Sequence, residues 1–156
     1  MGGMQEIELP VRLAGRLIVL DPGRRILLFR YDDRSSKSWH WATPGGAADP
    51  GEDHYAAACR ELTEETGWAD VPVRPGTVFE RWVILDFGGR AVRQHERYFL
   101  ARVPVDQRPL GDVAAMHRSD GIRAARWWTA AELDTTDEAV FPERLADRIR
   151  EISPDS

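Results

Sequence analysis

The chain reads as an α/β protein of the α+β kind, with a mixed β-sheet covered by helices. Three observations carry that expectation. Two pairs of apolar-rich segments flank turn residues, 16–20 with 25–31 and 77–87 with 91–103. One strongly signalled helix, 50–66, lies between the pairs. A further strand and two helical patterns follow, so the order is hairpin, strand, helix, hairpin, strand, helices.

Each element has a local reason. Asp21-Pro22-Gly23-Arg24 joins the first pair, and its proline and glycine suit a turn. A short strand at 39–43 ends in Pro44-Gly45-Gly46. The helix 50–66 starts where Asp49 can cap, Pro50 fits the first helical position and Glu52 completes a capping-box spacing. Gly67 is placed to end it. Its Tyr55, Ala58 and Leu62 share a face that can pack on the sheet. The second pair meets at Gly88-Gly89, which tolerates the positive φ of a tight hairpin. A strand is expected at 123–128, where Trp127 and Trp128 point to opposite faces, as Trp39 and Trp41 share one. Thr129 opens a short helix with capping-box spacing to Glu132. In a last helix, 142–152, Leu145, Ile149 and Ile152 recur at helical spacing. Residues 108–121 form the longest stretch without a pattern, a length that is often functional.

The totals narrow the function. A length of 156 residues suits one domain over 1–156, with residues 1–8 as a disordered or tag segment and 153–156 as a tail. The 42% apolar and 30% charged residues argue against disorder. A formal charge of −5 lacks the basic excess of a general nucleic-acid binder, so no stable nucleic-acid binding is expected. It permits an anionic small substrate if a metal ion supplies positive charge. Cys59 is the single cysteine, which fits a reducing compartment. No apolar run approaches the roughly 18 residues of a membrane span. A cytoplasmic protein without membrane contact is therefore expected.

The chemistry gathers on the central helix. Residues three and four apart share a helix face, so Glu61, Glu64 and Glu65 form one carboxylate cluster. Alone, such a cluster is more often a solvated acidic face. A hard divalent cation would relieve its repulsion, because Mg²⁺ takes oxygen ligands. Arg60 lies one turn before Glu64 and can pair with it. The glycines of Pro44-Gly45-Gly46 let backbone approach closely and turn a carbonyl inward. His40, His54, His95 and His117 show no metal-ligand spacing to one another, although His95 is a candidate to touch substrate.

From Gly46 to Trp68 the string resembles the Nudix box, G-x5-E-x7-R-E-U-x-E-E-x-G-U, with U aliphatic. Gly46, Glu52, Arg60, Glu61, Leu62, Glu64, Glu65 and Gly67 match, and Trp68 stands where the family has an aliphatic residue. The resemblance implies an α/β/α sandwich with a central mixed sheet. It also implies Mg²⁺-dependent hydrolysis, with Mn²⁺ as a substitute, of a nucleoside diphosphate linked to another moiety. Carried over by position, Glu61, Glu64 and Glu65 are metal ligands and Gly45 donates a backbone carbonyl. Glu61, Glu64 and Arg60 form the catalytic set, together with a glutamate from a strand beyond the box. Glu96 is the candidate for that glutamate and Glu80 the runner-up. The general base varies within the family, and Glu61 is one option. Gly46, Glu52 and Gly67 are structural support.

For substrate contact the candidates are Arg30 and Arg97, whose forks suit phosphate, and Trp41, which can stack on a base. Nucleoside triphosphates, nucleotide sugars and dinucleotides all fit the box. The window 81–85 contains neither the proline nor the tyrosine that mark the ADP-ribose and diadenosine subfamilies. Many relatives dimerise, so a homodimer is an expectation. The competing reading is a Nudix-fold module that senses a nucleotide without turnover, against which the intact glutamates argue. An isoprenoid-diphosphate isomerase ranks lower, since its chemistry needs a pocket cysteine and Cys59 lies within the box helix.

Overall fold

The computed structural model describes residues 8–33, 38–104 and 121–155. The patternless stretch 108–121 lies outside these residues except for Gly121, as do His117, the segment 1–7 and Ser156. The strands are β1 (Val11–Leu20), β2 (Ile26–Asp33), β3 (Ser38–Ala42), β4 (Gly45–Ala47), β5 (Val73–Phe87), β6 (Arg90–Arg102), β7 (Ile122–Trp128) and β8 (Ala139–Phe141). The helices are α1 (His54–Thr66), α2 (Ala130–Thr135) and α3 (Leu145–Glu151). The strands run in the order β5-β6-β1-β2-β3-β8, with β4 joined to β1 and β7 to β2. β1–β6 and β3–β8 are parallel and the other pairs antiparallel, so the sheet is mixed.

β1 is the strand on which the architecture turns. Along one edge it pairs with β6 from Val11–Arg93 to Leu20–Arg102. Its other edge takes β4, from Ala14–Ala47 to Arg16–Gly45, and meets β2 in register only at Leu20–Ile26. The expected first hairpin is therefore closed only at its turn. There Asp21 accepts from the Arg25 backbone N–H at 2.8 Å and from Arg25 Nε at 2.7 Å. Beyond the turn the two strands part, because Gly45–Ala47 takes the edge that a simple hairpin would give to β2. The second hairpin is regular from Phe87–Arg90 to Glu80–Arg97, and Gly88 and Gly89 take φ of 63° and 90° at its tip.

The central helix begins later than residue 50. Asp53, not Asp49, is the cap, and its carboxylate accepts from the Ala56 N–H at 2.8 Å. Gly51 has φ of 85°, a conformation outside a right-handed helix, so residues 49–52 close a separate turn. In that turn Glu52 Oε1 accepts from the Asp49 N–H at 2.7 Å. Gly67 ends the helix in the left-handed region with φ of 78°, its N–H donating to the Thr63 carbonyl. Replacing Asp53 by Ala is expected to cost about 1 kcal/mol, the usual worth of an N-cap. The same change at Asp49 should cost less, and urea denaturation of the two variants compares them. The last helix is likewise shorter than 142–152. Arg144 takes φ of 61°, so α3 begins only at Leu145.

Side chains alternate along the strands into two cores. Leu17, Val19, Leu27 and Phe29 pack with Ala58 and Leu62 of α1. Ile18, Leu20, Ile26 and Leu28 pack with Leu145 and Ile149 of α3. Trp127 joins the first core and Trp128 the second, as the alternation requires. The result is an α/β/α sandwich. Gly15 marks the closest approach of α1: a Cβ there would fall 2.0 Å from the His54 carbonyl oxygen and 2.6 Å from the Ala58 nitrogen. No helix among the described residues is long and apolar enough to cross a membrane.

Candidate active site

Where β1 and β2 part, a cavity of about 820 Å³ opens between them. Its floor is Gly45 and Gly46 of β4 with Glu61 and Glu65 of α1. One wall carries Arg12 and Arg16 of β1, Glu96 of β6 and Arg81 of β5. The facing wall carries Tyr31 of β2, His40 of β3 and Phe141 of β8. The cavity thus brings acidic, basic and aromatic groups together from across the sheet.

The helix presents its glutamates in different states. Glu65 is buried and its Oε1 accepts from the Gly45 N–H at 2.8 Å, which ties α1 to the glycine loop. Glu61 lies against Gly46, where a Cβ would come within 2.6 Å of Glu61 Oε1. Glycine at 46 is therefore the residue that leaves room for that carboxylate. Arg60 gathers the outer acids. Its Nε and Nη2 donate to Glu52 at 2.9 Å, and Nη1 donates to Glu61 at 3.1 Å and Glu64 at 3.0 Å. Nη2 also reaches the Ala47 carbonyl at 3.0 Å, so one guanidinium links α1, β4 and the turn at 49–52. The bond to Glu52, then the field of Glu61, raise the Arg60 pKa above its ordinary value despite some burial. Glu52 in turn is held below the usual carboxylate range, first by that bond and then by the Asp49 N–H.

Glu96 is buried on the wall above this floor. It accepts from Arg81 Nε at 2.5 Å, Gln94 Nε2 at 2.7 Å and the Tyr98 hydroxyl at 2.9 Å. Burial pushes its pKa up, but the field of Arg16 and the bond and field of Arg81 outweigh that and hold it low. The group remains a carboxylate at neutral pH. Burial meanwhile raises the Tyr98 hydroxyl, which stays protonated and can donate.

Among the described residues, no three His, Cys, Asp or Glu side chains are already grouped as a metal site. The donor chemistry nevertheless fits a hard cation. Glu61, Glu65 and Glu96 face one cavity, they are oxygen donors, and Gly46 is a cradle that a side chain would fill.

The sequence-derived candidates divide in space. Gly45, Gly46, Glu61, Glu65 and Glu96 line the cavity, with Glu52, Arg60 and Glu64 joined at its acidic margin. Gly67 sits at the far end of α1. Arg30, Trp41 and Arg97 lie outside the cavity, and strand alternation is the reason. Trp41 is in the α3-side core and donates to Glu138 at 3.1 Å. Arg30, its partner in register, stands over Trp39 at 5.5 Å. Their neighbours His40 and Tyr31 are the residues that face inward. Arg97 points away from Glu96 and pairs with Glu80 at 3.3 Å. His95 shares that face, which turns towards α1, and is buried there with Nδ1 3.0 Å from His54 Nε2 and Nε2 3.1 Å from Glu80.

Sequence reasoning passed over Arg16, Tyr31 and Phe141. Arg16 had a signal: it is the one charge in the apolar run from Leu13 to Leu20. Tyr31 stacks on His40 at 5.5 Å, and His40 meets Phe141 edge-on at 5.6 Å. No local pattern announces that cluster, because three strands assemble it.

Comparison with known proteins agrees with this geometry. Residues 10–152 match the family model described as the NUDIX domain. An RNA pyrophosphohydrolase of Azorhizobium caulinodans is 32% identical over 132 residues, covering 74% of this chain and 76% of that protein. One of Caulobacter vibrioides is 38% identical over 71 residues, covering 46% of this chain and 40% of that protein. The crystal structure of a MutT protein from Methanosarcina mazei shares the fold, with a TM-score of 0.66 at 18% identity over 93% of this chain and 94% of that one. A box intact from Gly46 to Gly67, a sandwich that brings its Glu61 and Glu65 to one cavity, and a family match over nearly the whole chain make this protein a member of the Nudix hydrolase family.

Proposed function

We propose that the chain is a Mg²⁺-dependent pyrophosphohydrolase that cleaves a nucleoside diphosphate linked to another moiety. The convergence of Glu61, Glu65 and Glu96 on the cavity above Gly45 and Gly46 carries this reading. Glu61 and Glu65, with Glu64 at the margin and the Gly45 carbonyl, would hold the metal. Bound there, Mg²⁺ or Mn²⁺ neutralises charge on the phosphoryl oxygens and so eases attack by water.

The remaining steps belong to the chain. Arg60 Nη1 aims the Glu61 carboxylate, which takes the proton of the attacking water. Glu96, kept ionised beside Arg81 and Arg16, adds negative charge on the wall above that floor. The Tyr31–His40 stack offers a flat face on which a base can lie.

Free nucleotides fit the net charge of −5 better than long nucleic acids do. Relatives named RNA pyrophosphohydrolase add the 5′-phosphorylated end of RNA to the substrates worth trying. The reading places one working domain in the cytoplasm, with a homodimer as the assembly to look for by light scattering. A panel of nucleoside triphosphates, nucleotide sugars, dinucleotides and 5′-triphosphorylated RNA, assayed for phosphate or pyrophosphate release, tests it. Turnover of at least one class that requires Mg²⁺ is the expected result. No turnover of any member would replace hydrolysis with nucleotide sensing.

A further inference from the structure

We infer that Arg12 and Arg16 of β1 form an anion ladder that grips the phosphates on the two sides of the bond to be broken. The inference rests on the pyrophosphohydrolase reading of the cavity and deepens it. Residues four apart on a strand share a face, and both arginines line the cavity. In the parallel register Arg12 lies opposite Gln94, Ala14 opposite Glu96 and Arg16 opposite Tyr98. Glu96 is thus bracketed along the strand direction by one guanidinium on each side. A phosphate chain laid across this carboxylate in the presence of a metal would meet a cation at either end.

The arginines are also available in a way that the third cavity guanidinium is not. Arg81 is engaged by Glu96 at 2.5 Å and by Glu143 at 2.9 Å. Neither Arg12 nor Arg16 makes an ion pair among the described residues. Arg16 Nη2 donates to the Thr43 carbonyl at 2.5 Å, while its buried Nε has no hydrogen-bond partner. A buried donor without a partner is costly, and a phosphoryl oxygen in the cavity is an acceptor that would satisfy it. Gly45 keeps the approach open. A Cβ there would fall 2.7 Å from the Arg16 Cα and 3.1 Å from its Cδ. Arg12 stands at the rim with its guanidinium 4.9 Å from the Phe87 ring centre. The ring can hold the cation by its face while the N–H groups at the guanidinium edge remain able to donate.

The ligand is therefore an oligophosphate, and the base attached to it is not needed for this contact. The test uses methylenediphosphonate, a pyrophosphate mimic that cannot be hydrolysed, titrated calorimetrically into the full chain with Mg²⁺. The unmodified protein is expected to bind it. Arg12→Gln and Arg16→Gln should each weaken binding about tenfold or more, the usual effect of losing a charge-assisted contact. Arg93→Gln, on the opposite strand face, should leave binding unchanged. Equal binding by all three variants, or no binding by the unmodified protein, overturns the inference. If Arg16→Gln melts early, Arg12→Gln decides the matter, since Arg12 is exposed and rests on the ring of Phe87, which is itself exposed. The two readings fail separately. Arginine-dependent binding without turnover of any nucleotide sinks only the hydrolase, and turnover with arginine-independent binding sinks only the ladder.

Discussion

Glu65→Gln is expected to leave a folded protein with almost no turnover. The substitution preserves shape, and an amide oxygen can still accept from the Gly45 N–H that Glu65 Oε1 holds at 2.8 Å. What it removes is a negative charge at a buried position on the cavity floor. Losing one preorganised electrostatic contact typically slows an enzyme by about 10²–10³-fold, and loss of a metal ligand adds to that. The measurement is kcat across a Mg²⁺ titration, with a melting curve as control for the fold. Excess Mg²⁺ should not restore the rate. Full activity in this variant, or in the unmodified protein with chelator, would remove Glu65 from the mechanism.

Gly15→Ala is expected to have the largest effect on the fold. The added methyl would sit 2.0 Å from the His54 carbonyl oxygen and 2.6 Å from the Ala58 nitrogen, both backbone atoms of α1. Backbone cannot rotate aside as a side chain can, so the helix must lift from β1 or β1 must bend. Overpacking of that severity costs about 3 kcal/mol or more. Denaturant midpoint and activity should fall together, because α1 also carries Glu61 and Glu65. Gly46→Ala is the informative contrast. Its methyl meets the tip of Glu61 at 2.6 Å, and a carboxylate can swing away. Activity should drop there while the melting temperature stays near that of the unmodified protein. A normal melting temperature for Gly15→Ala would mean that α1 does not rest on β1 this closely.

The sequence is most legible where structure is local. The helix end at Gly67, the Gly88–Gly89 tip and the capping box at Thr129 each depend on a few adjacent residues, and each stands where local chemistry puts it. The start of α1 was expected at Asp49, but Asp53, four residues on, is an equally competent cap and takes the role. Gly51 decided between them by adopting a positive φ that no spacing rule forecasts. Strands of three residues, such as β4 and β8, are too short to show a period. Without β4, the parting of β1 from β2 is not visible either, and that parting makes the cavity. For the site, the box placed the acids on one helix. Which of the distant arginines and aromatics face those acids depends on strand alternation and pairing. Arg30 and Trp41 point one way while Tyr31 and His40 point the other, a difference of a single residue in register.

The parallel pairing of β1 with β6 bears on how the molecule is made. Its partners lie about 80 residues apart in the chain, from Val11–Arg93 to Leu20–Arg102. Closing such a span costs entropy before any contact repays it, so pairings of this kind form late and slowly. The hairpin of β5 and β6 and the helix α1 can form early from near neighbours. Glu96 rides on β6, and Glu61 and Glu65 ride on the helix that rests on β1. Those carboxylates therefore meet only when the long-range strand docks. A nascent or partly refolded chain can be rich in native secondary structure and still have no place to gather a metal or a phosphate.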